Sequence, residues 1–129
     1  LRWWDRPPDA AVIPGDPAML SHLLGNLIGN AVEAAGAGGV VEVKLFPTPF
    51  DHDGLRIPGT GYAVEVIDSG PGPPPEIADR LFEPFVTGKE QGIGLGLAVA
   101  KQAADAHAGR IAWERRDGKT VFRVELPAA

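Results

Sequence analysis

Apolar residues recur every three or four positions from Leu20 through Leu23, Leu24, Leu27, Ile28 and Ala31 to Ala35, the period of one helix face. Asp16 followed by Pro17 supplies a capping carboxylate and a proline suited to the first turn, and glycines 36, 38 and 39 close the pattern. The period changes to that of strands in "VVEVKLF" (40–46) and "GYAVEVID" (61–68). The intervening "PTPFDHDGLRIPGT" is too long for a tight turn and predicts a loose loop between two paired strands. "EIADRLF" (76–82) predicts a short helical piece, and a second long helix is expected from Leu95 to His107, closed by Gly109. "RIAWER" (110–115) and "TVFRVEL" (120–126) read as a hairpin turning at Asp117-Gly118, and "LRWWD" at the start as an added edge strand.

Helix, two strands, short helix, helix and hairpin predict an α+β fold, a two-layer sandwich with the helices on one face of a sheet. A length of 129 residues fits one domain, so 1–129 is read as a single unit with one site. No apolar run approaches the ~18 residues of a membrane span. Cysteine is absent, which removes thiolate metal sites, disulfides and thiol nucleophiles and accords with a reducing cytoplasm. A net charge of -5 without a basic cluster argues against nucleic acid as a partner. The chain opens on Leu1 with neither methionine nor a signal pattern, so a piece of a longer protein, monomeric by itself, is the expectation.

Three stretches carry candidate chemistry. His22, Asn26 and Asn30 lie four apart on the first helix and form a polar row beside the apolar stripe. Gly25 and Gly29 share that helix at roughly 1 kcal/mol each relative to alanine, which leaves open either close packing on a strand or the approach of a ligand. An amide oxygen such as that of Asn30 is a hard ligand suited to Mg²⁺. "DSGPG" (68–72) ends a strand with Asp68, Gly70 and Gly72; it reads as a capped turn, or as a recessed carboxylate beside glycines that admit a flat ring carrying an exocyclic amine. "GKEQGIGLGLAVAK" (88–101) sets glycines 88, 92, 94 and 96 directly before a helix. There, unpaired N–H groups and the positive dipole end can converge on an anion; a plain loop beside a core helix is the alternative. Lys89 is followed by Glu90 and the glycines are spaced G-x-G-x-G, so neither the P-loop nor the Rossmann fingerprint fits.

Together "NLIGNAVEA", "DSGPG", "LFEPF" and "GIGLGL" resemble the N-box, first glycine box, F-box and second glycine box of the ATP-binding catalytic domain of sensor histidine kinases. The resemblance runs from about residue 12 to 127, in the family's order. It implies the Bergerat-type sandwich shared with gyrase and heat-shock chaperone relatives: a mixed, mostly antiparallel sheet, helices on one face, and a lid over ATP. The short interval from Phe85 to Gly92 and the "FVTGK" within it are similar to the nitrogen-regulator branch.

By that resemblance Asn30 would hold Mg²⁺ against the phosphates, Asn26 would support phosphate or metal waters, and Asp68 would bind the adenine amine. Gly70 and Gly72 would shape the adenine pocket. Lys89 and the backbone of Gly92, Gly94, Leu95, Gly96 and Leu97 would contact phosphate, and Phe82 and Phe85 would anchor the lid or simply pack in the core. Thr120 matches a family threonine and is given little weight. The hydrolytic relatives carry a water-activating glutamate four residues before the metal-binding asparagine; here that position is Asn26, and an amide is no general base. A kinase is therefore expected over an ATPase, the acceptor being a histidine on a separate dimerisation domain of the parent protein, with a response regulator downstream. His22, His52 and His107 lack the His-Glu pairing of a phosphoacceptor and read as surface or packing residues. A same-fold anti-sigma-factor serine kinase and a non-catalytic nucleotide-sensing module are the alternative functions.

Overall fold

The computed structural model describes residues 2–3, 13–51, 58–84 and 96–128. Helix α1 spans Pro17–Ala35. Asp16 is its N-cap, accepting from the backbone N–H groups of Ala18 at 2.9 Å and Met19 at 3.3 Å, while Gly36 returns its N–H to the carbonyl of Val32. The boundaries read from the capping residues are those observed.

Among the described residues five strands form one sheet in the order β1-β2-β3-β5-β4, with β1 at Arg2–Trp3, β2 at Val41–Asp51, β3 at Pro58–Asp68, β4 at Arg110–Arg116 and β5 at Lys119–Pro127. β1 runs parallel to β2 and every other pairing is antiparallel, which gives the expected mixed sheet. The β2–β3 connection corrects the sequence reading. Pairing continues from Val41↔Asp68 out to Asp51↔Pro58, so most of "PTPFDHDGLRIPGT" is strand. Pro47 and Pro49 donate no hydrogen bond, yet β2 accommodates both.

The β4–β5 hairpin turns at Asp117 and Gly118, both at positive φ (53° and 76°), the geometry that suits right-twisted strands. The segment 76–82 contracts to a single 3-10 turn at Ala78–Arg80; prolines 73–75 immediately before it withhold backbone donors. Helix α2 spans Gly96–Ala106.

Both helices pack on the face of the sheet that presents Val41, Val43, Val66, Phe122 and Val124, and Leu23, Leu27, Ala100, Ala103 and Ala104 complete the core. Each of the large aliphatic side chains there contributes roughly 1.5–3 kcal/mol. Alanines at the α2 contact let the two helices approach closely. His107 fastens them at the far end: its Nε2 accepts from the backbone N–H of Asp16 at 2.9 Å, and its Nδ1 lies 2.7 Å from the carbonyl of Ala103. This pairing fixes the neutral tautomer with the proton on Nδ1, the packing role expected of this histidine.

The opposite face of the sheet is held by ion pairs. Glu65, 3% exposed, lies between Arg116 and Arg123, each at 3.1 Å, and Lys119 pairs with Glu42 at 3.2 Å.

Candidate functional site

One helix organises the site. Asn26 and Asn30 lie half-buried on α1, with His22 exposed in the same row. The Asn26 amide nitrogen donates to the carbonyl of Gly96, the first residue of α2, at 3.2 Å. The middle of α1 is thereby tied to the helix that follows the glycine-rich stretch. Beside this contact, a Cβ built on Gly25, Gly29 or Gly96 meets no atom of the described residues within 4 Å. Among the described residues nothing packs on glycines 25 and 29, which are exposed, so the helix backbone there is open to approach.

Further along α1, Ala34 meets the turn after β3. A Cβ on Gly70 would stand 2.3 Å from the Ala34 carbonyl oxygen, so Gly70 is required first by helix-to-turn contact. Gly72 has φ +87°, and its Cβ would fall 3.0 Å from Cδ of Arg115 and 3.3 Å from Oγ1 of Thr120. Both glycines of the "DSGPG" box thus allow the turn to fold down onto α1 and the β4–β5 hairpin.

Asp68 closes β3 at the base of this turn and is 1% exposed. Its Oδ1 accepts from the backbone N–H of Gly70 at 2.9 Å. Burial pushes the carboxyl pKa above its ordinary value, opposed by the Gly70 N–H and the charge of Arg115. The buried acid is thereby poised to accept a further hydrogen bond from a partner that would relieve its desolvation.

Two residues gain importance over the sequence reading. Thr120 is 2% exposed and stands opposite Asp68 in the β3–β5 register. Arg115 reaches from the end of β4 to bond Thr120 Oγ1 at 2.7 Å, the Gly70 carbonyl at 2.8 Å and the Gly118 carbonyl at 3.1 Å. A strand arginine two residues before an Asp-Gly turn gives no signal by itself in sequence; its direction is set by the hairpin register.

Phe82 makes an edge-on contact with Phe122, centroids 6.2 Å apart, and Phe122 stacks on Trp113. Phe82 is a core anchor in this structure. Leu97 packs partly buried against the same core. Lys89, Gly92, Gly94 and Leu95, together with Phe85 and His52, lie outside the described residues. Among the described residues, no group of three or more His, Asp or Glu side chains is placed to hold a metal ion.

The mixed sheet carrying two long helices on one face, with the Asn26/Asn30 row on α1 and Asp68 at the turn after β3, is the Bergerat-type α+β sandwich of histidine kinase catalytic domains. Residues 15–129 match the family described as "Histidine kinase-, DNA gyrase B-, and HSP90-like ATPase", and the chain belongs to this family. The catalytic domain of the histidine kinase ThkA is similar with a TM-score of 0.70 and 33% identity, over 90% of this chain and 70% of that one. Full-length ShkA, solved in complex with AMPPNP, is similar with a TM-score of 0.68 and 31% identity, over 93% of this chain and 24% of that one. The sensory histidine kinase/phosphatase NtrB of Rhodobacter capsulatus is 41% identical over 97% of this chain. The chain spans 36% of the length of that relative. The nitrogen-regulator likeness of the brief "FVTGK" interval accords with this match.

Proposed function

We propose that the chain binds Mg-ATP and donates the γ-phosphoryl group to a histidine on a separate dimerisation domain of the same sensor kinase, in two-component signalling. The observation that carries this reading is the placement of α1. It bears the Asn26/Asn30 row beside open space at Gly25 and Gly29, touches the start of α2 through Asn26, and meets the Asp68 turn at Ala34. A ligand lying along this helix would reach a buried carboxylate at one end and a helix N-terminus at the other.

Asp68 would accept the exocyclic amine of adenine and would face the guanine carbonyl without a donor to offer it. The N–H groups opening α2 would face phosphate, joined by Lys89 and the backbone of Gly92, Gly94 and Leu95. Asn30 would offer its amide oxygen to Mg²⁺, which supplies charge neutralisation of the phosphates. A single neutral ligand fits this ion, since the phosphates provide other oxygens. Asn26 commits its NH₂ to Gly96, and its amide cannot abstract a proton from water. The arrangement accordingly favours transfer over hydrolysis: an imidazole nitrogen of the acceptor attacks the γ-phosphorus, the bond to the bridging oxygen breaks, and ADP leaves. The same domain would act on the cytoplasmic side of its signalling pathway, and a response regulator would receive the phosphoryl group from the histidine.

Calorimetric titration with ATP and GTP in the presence of Mg²⁺ tests the ligand. ATP should bind and GTP should bind at least ~10-fold more weakly, the cost of an unmatched buried polar edge. Equal affinities, or no binding of ATP, would contradict the proposal.

A further inference from the structure

Beside Asp68 stands an arginine that the family resemblance does not assign. Arg115 is an exposed residue, yet its guanidinium is held by the chain itself. Nη1 donates to both the Gly70 carbonyl at 2.8 Å and Thr120 Oγ1 at 2.7 Å, and Nη2 donates to the Gly118 carbonyl at 3.1 Å. These acceptors belong to different parts of the chain: the turn after β3, strand β5 and the hairpin tip. The planar fork of the guanidinium suits such a three-way bridge, and an ammonium does not. Gly72 leaves room for it, because a Cβ there would approach Arg115 Cδ at 3.0 Å.

Each end of the bridge leads to Asp68. Gly70 gives its backbone N–H to Asp68 Oδ1 at 2.9 Å while its carbonyl is held by Arg115. Thr120 stands directly across from Asp68 in the sheet. Among the described residues, Arg115 supplies the charge that acts on the Asp68 carboxyl.

We infer that Arg115 is a positioning residue for the adenine end of the site, clamping Gly70 to Thr120 so that the Asp68 carboxyl is held in place and aimed at the base. This rests on the adenine-binding reading of Asp68 given above. Arg115 itself does not touch the nucleotide.

The test compares adenosine and ATP binding across pH for the parent chain, Arg115→Gln, Arg115→Lys and Asp68→Asn. Arg115→Gln should weaken adenosine and ATP by the same factor, about 10-fold, the order expected for a lost charge-assisted bond. The loss of affinity on acidification should also begin at higher pH in this variant, since the charge opposing protonation of Asp68 is gone. Arg115→Lys keeps the charge, so its acid limb should stay at the parent's pH while affinity falls severalfold with the broken bridge. A hairpin staple with no role in the site would lower the melting temperature and leave the acid limb unmoved in both variants, and that result overturns the inference. If Asp68→Asn weakens adenosine but Arg115→Gln does not, the role of Arg115 fails and the adenine reading survives. If Asp68→Asn itself leaves adenosine binding unchanged, the adenine reading fails and the inference falls with it.

Discussion

Asn26 and Gly96 are joined by a 3.2 Å hydrogen bond between side chain and backbone carbonyl, across 70 positions of sequence. The bond anchors the first residue of α2 to the middle of α1. Asn26→Ala should cost about 1 kcal/mol of stability and speed hydrogen exchange in the first turn of α2. ATP affinity should fall more than adenosine affinity, because the phosphate-facing end of the site loses its tether. Equal effects on both ligands would show that Asn26 merely supports the core.

Asn30 is proposed as the protein's ligand to Mg²⁺. In Asn30→Ala, adenosine should bind as it does to the parent chain, while ATP should no longer gain affinity when Mg²⁺ is added. Calorimetry with and without the ion reads this directly. A retained Mg²⁺ response would remove Asn30 from its assigned role.

Two buried carboxylates should respond to pH in opposite senses. Burial raises the pKa of Asp68 above its ordinary value, so the folded state holds that proton more tightly than the unfolded chain does. Its ionised form costs stability near neutrality, and the cost is relieved as pH falls through the raised value. Asp68→Asn should therefore stabilise the ligand-free protein or leave it unchanged at neutral pH, while weakening adenosine. Burial also acts to raise the pKa of Glu65, but Arg116 and Arg123 outweigh it and the net shift is downward. Its stabilisation is complete above the ordinary carboxylate range and is lost as pH falls through the lowered folded value. Urea denaturation at neutral and acid pH should show Glu65→Gln destabilised only at the higher pH. The same loss at both would rule out the ion pairs as its source.

Glycines 70 and 25 separate packing from access. Gly70→Ala would place a methyl 2.3 Å from the Ala34 carbonyl oxygen, which is backbone and cannot rotate away; a loss of about 1–3 kcal/mol is expected. Gly25→Ala meets nothing within 4 Å among the described residues and should stabilise the helix by up to about 1 kcal/mol. If Gly25 borders bound nucleotide, the same change should weaken ATP. Denaturation and titration of both variants check the contrast, and a destabilised Gly25→Ala would refute the open-space account.

Much of this architecture was legible because local chemistry and tertiary packing agree. Asp16-Pro17 and Gly36 delimit α1, and Asp117-Gly118 sets the hairpin, each through backbone preferences that need no distant partner. Strands β2 and β3 were read too short because Pro47, Pro49 and Gly59 are poor strand formers, and the cross-strand pairing that overrides them is not local. The Asn row and the Asp68 turn were found through spacing. Arg115 was not, since its three acceptors converge only after β3, β4 and β5 are in register. The contact of Gly70 with Ala34 is not legible either, because it depends on where the C-terminal half of α1 lands.

Transfer of the phosphoryl group from ATP to histidine can be followed in trans. The chain is incubated with γ-labelled ATP, Mg²⁺ and the separately produced histidine-bearing dimerisation domain of an NtrB-type relative, and the label is followed with time. The added domain should become labelled, stable to base and labile to acid as phosphohistidine is, and the labelling should be abolished in the Asn30→Ala chain. Acid-stable label on serine or threonine, or release of inorganic phosphate with no labelled histidine, would contradict it.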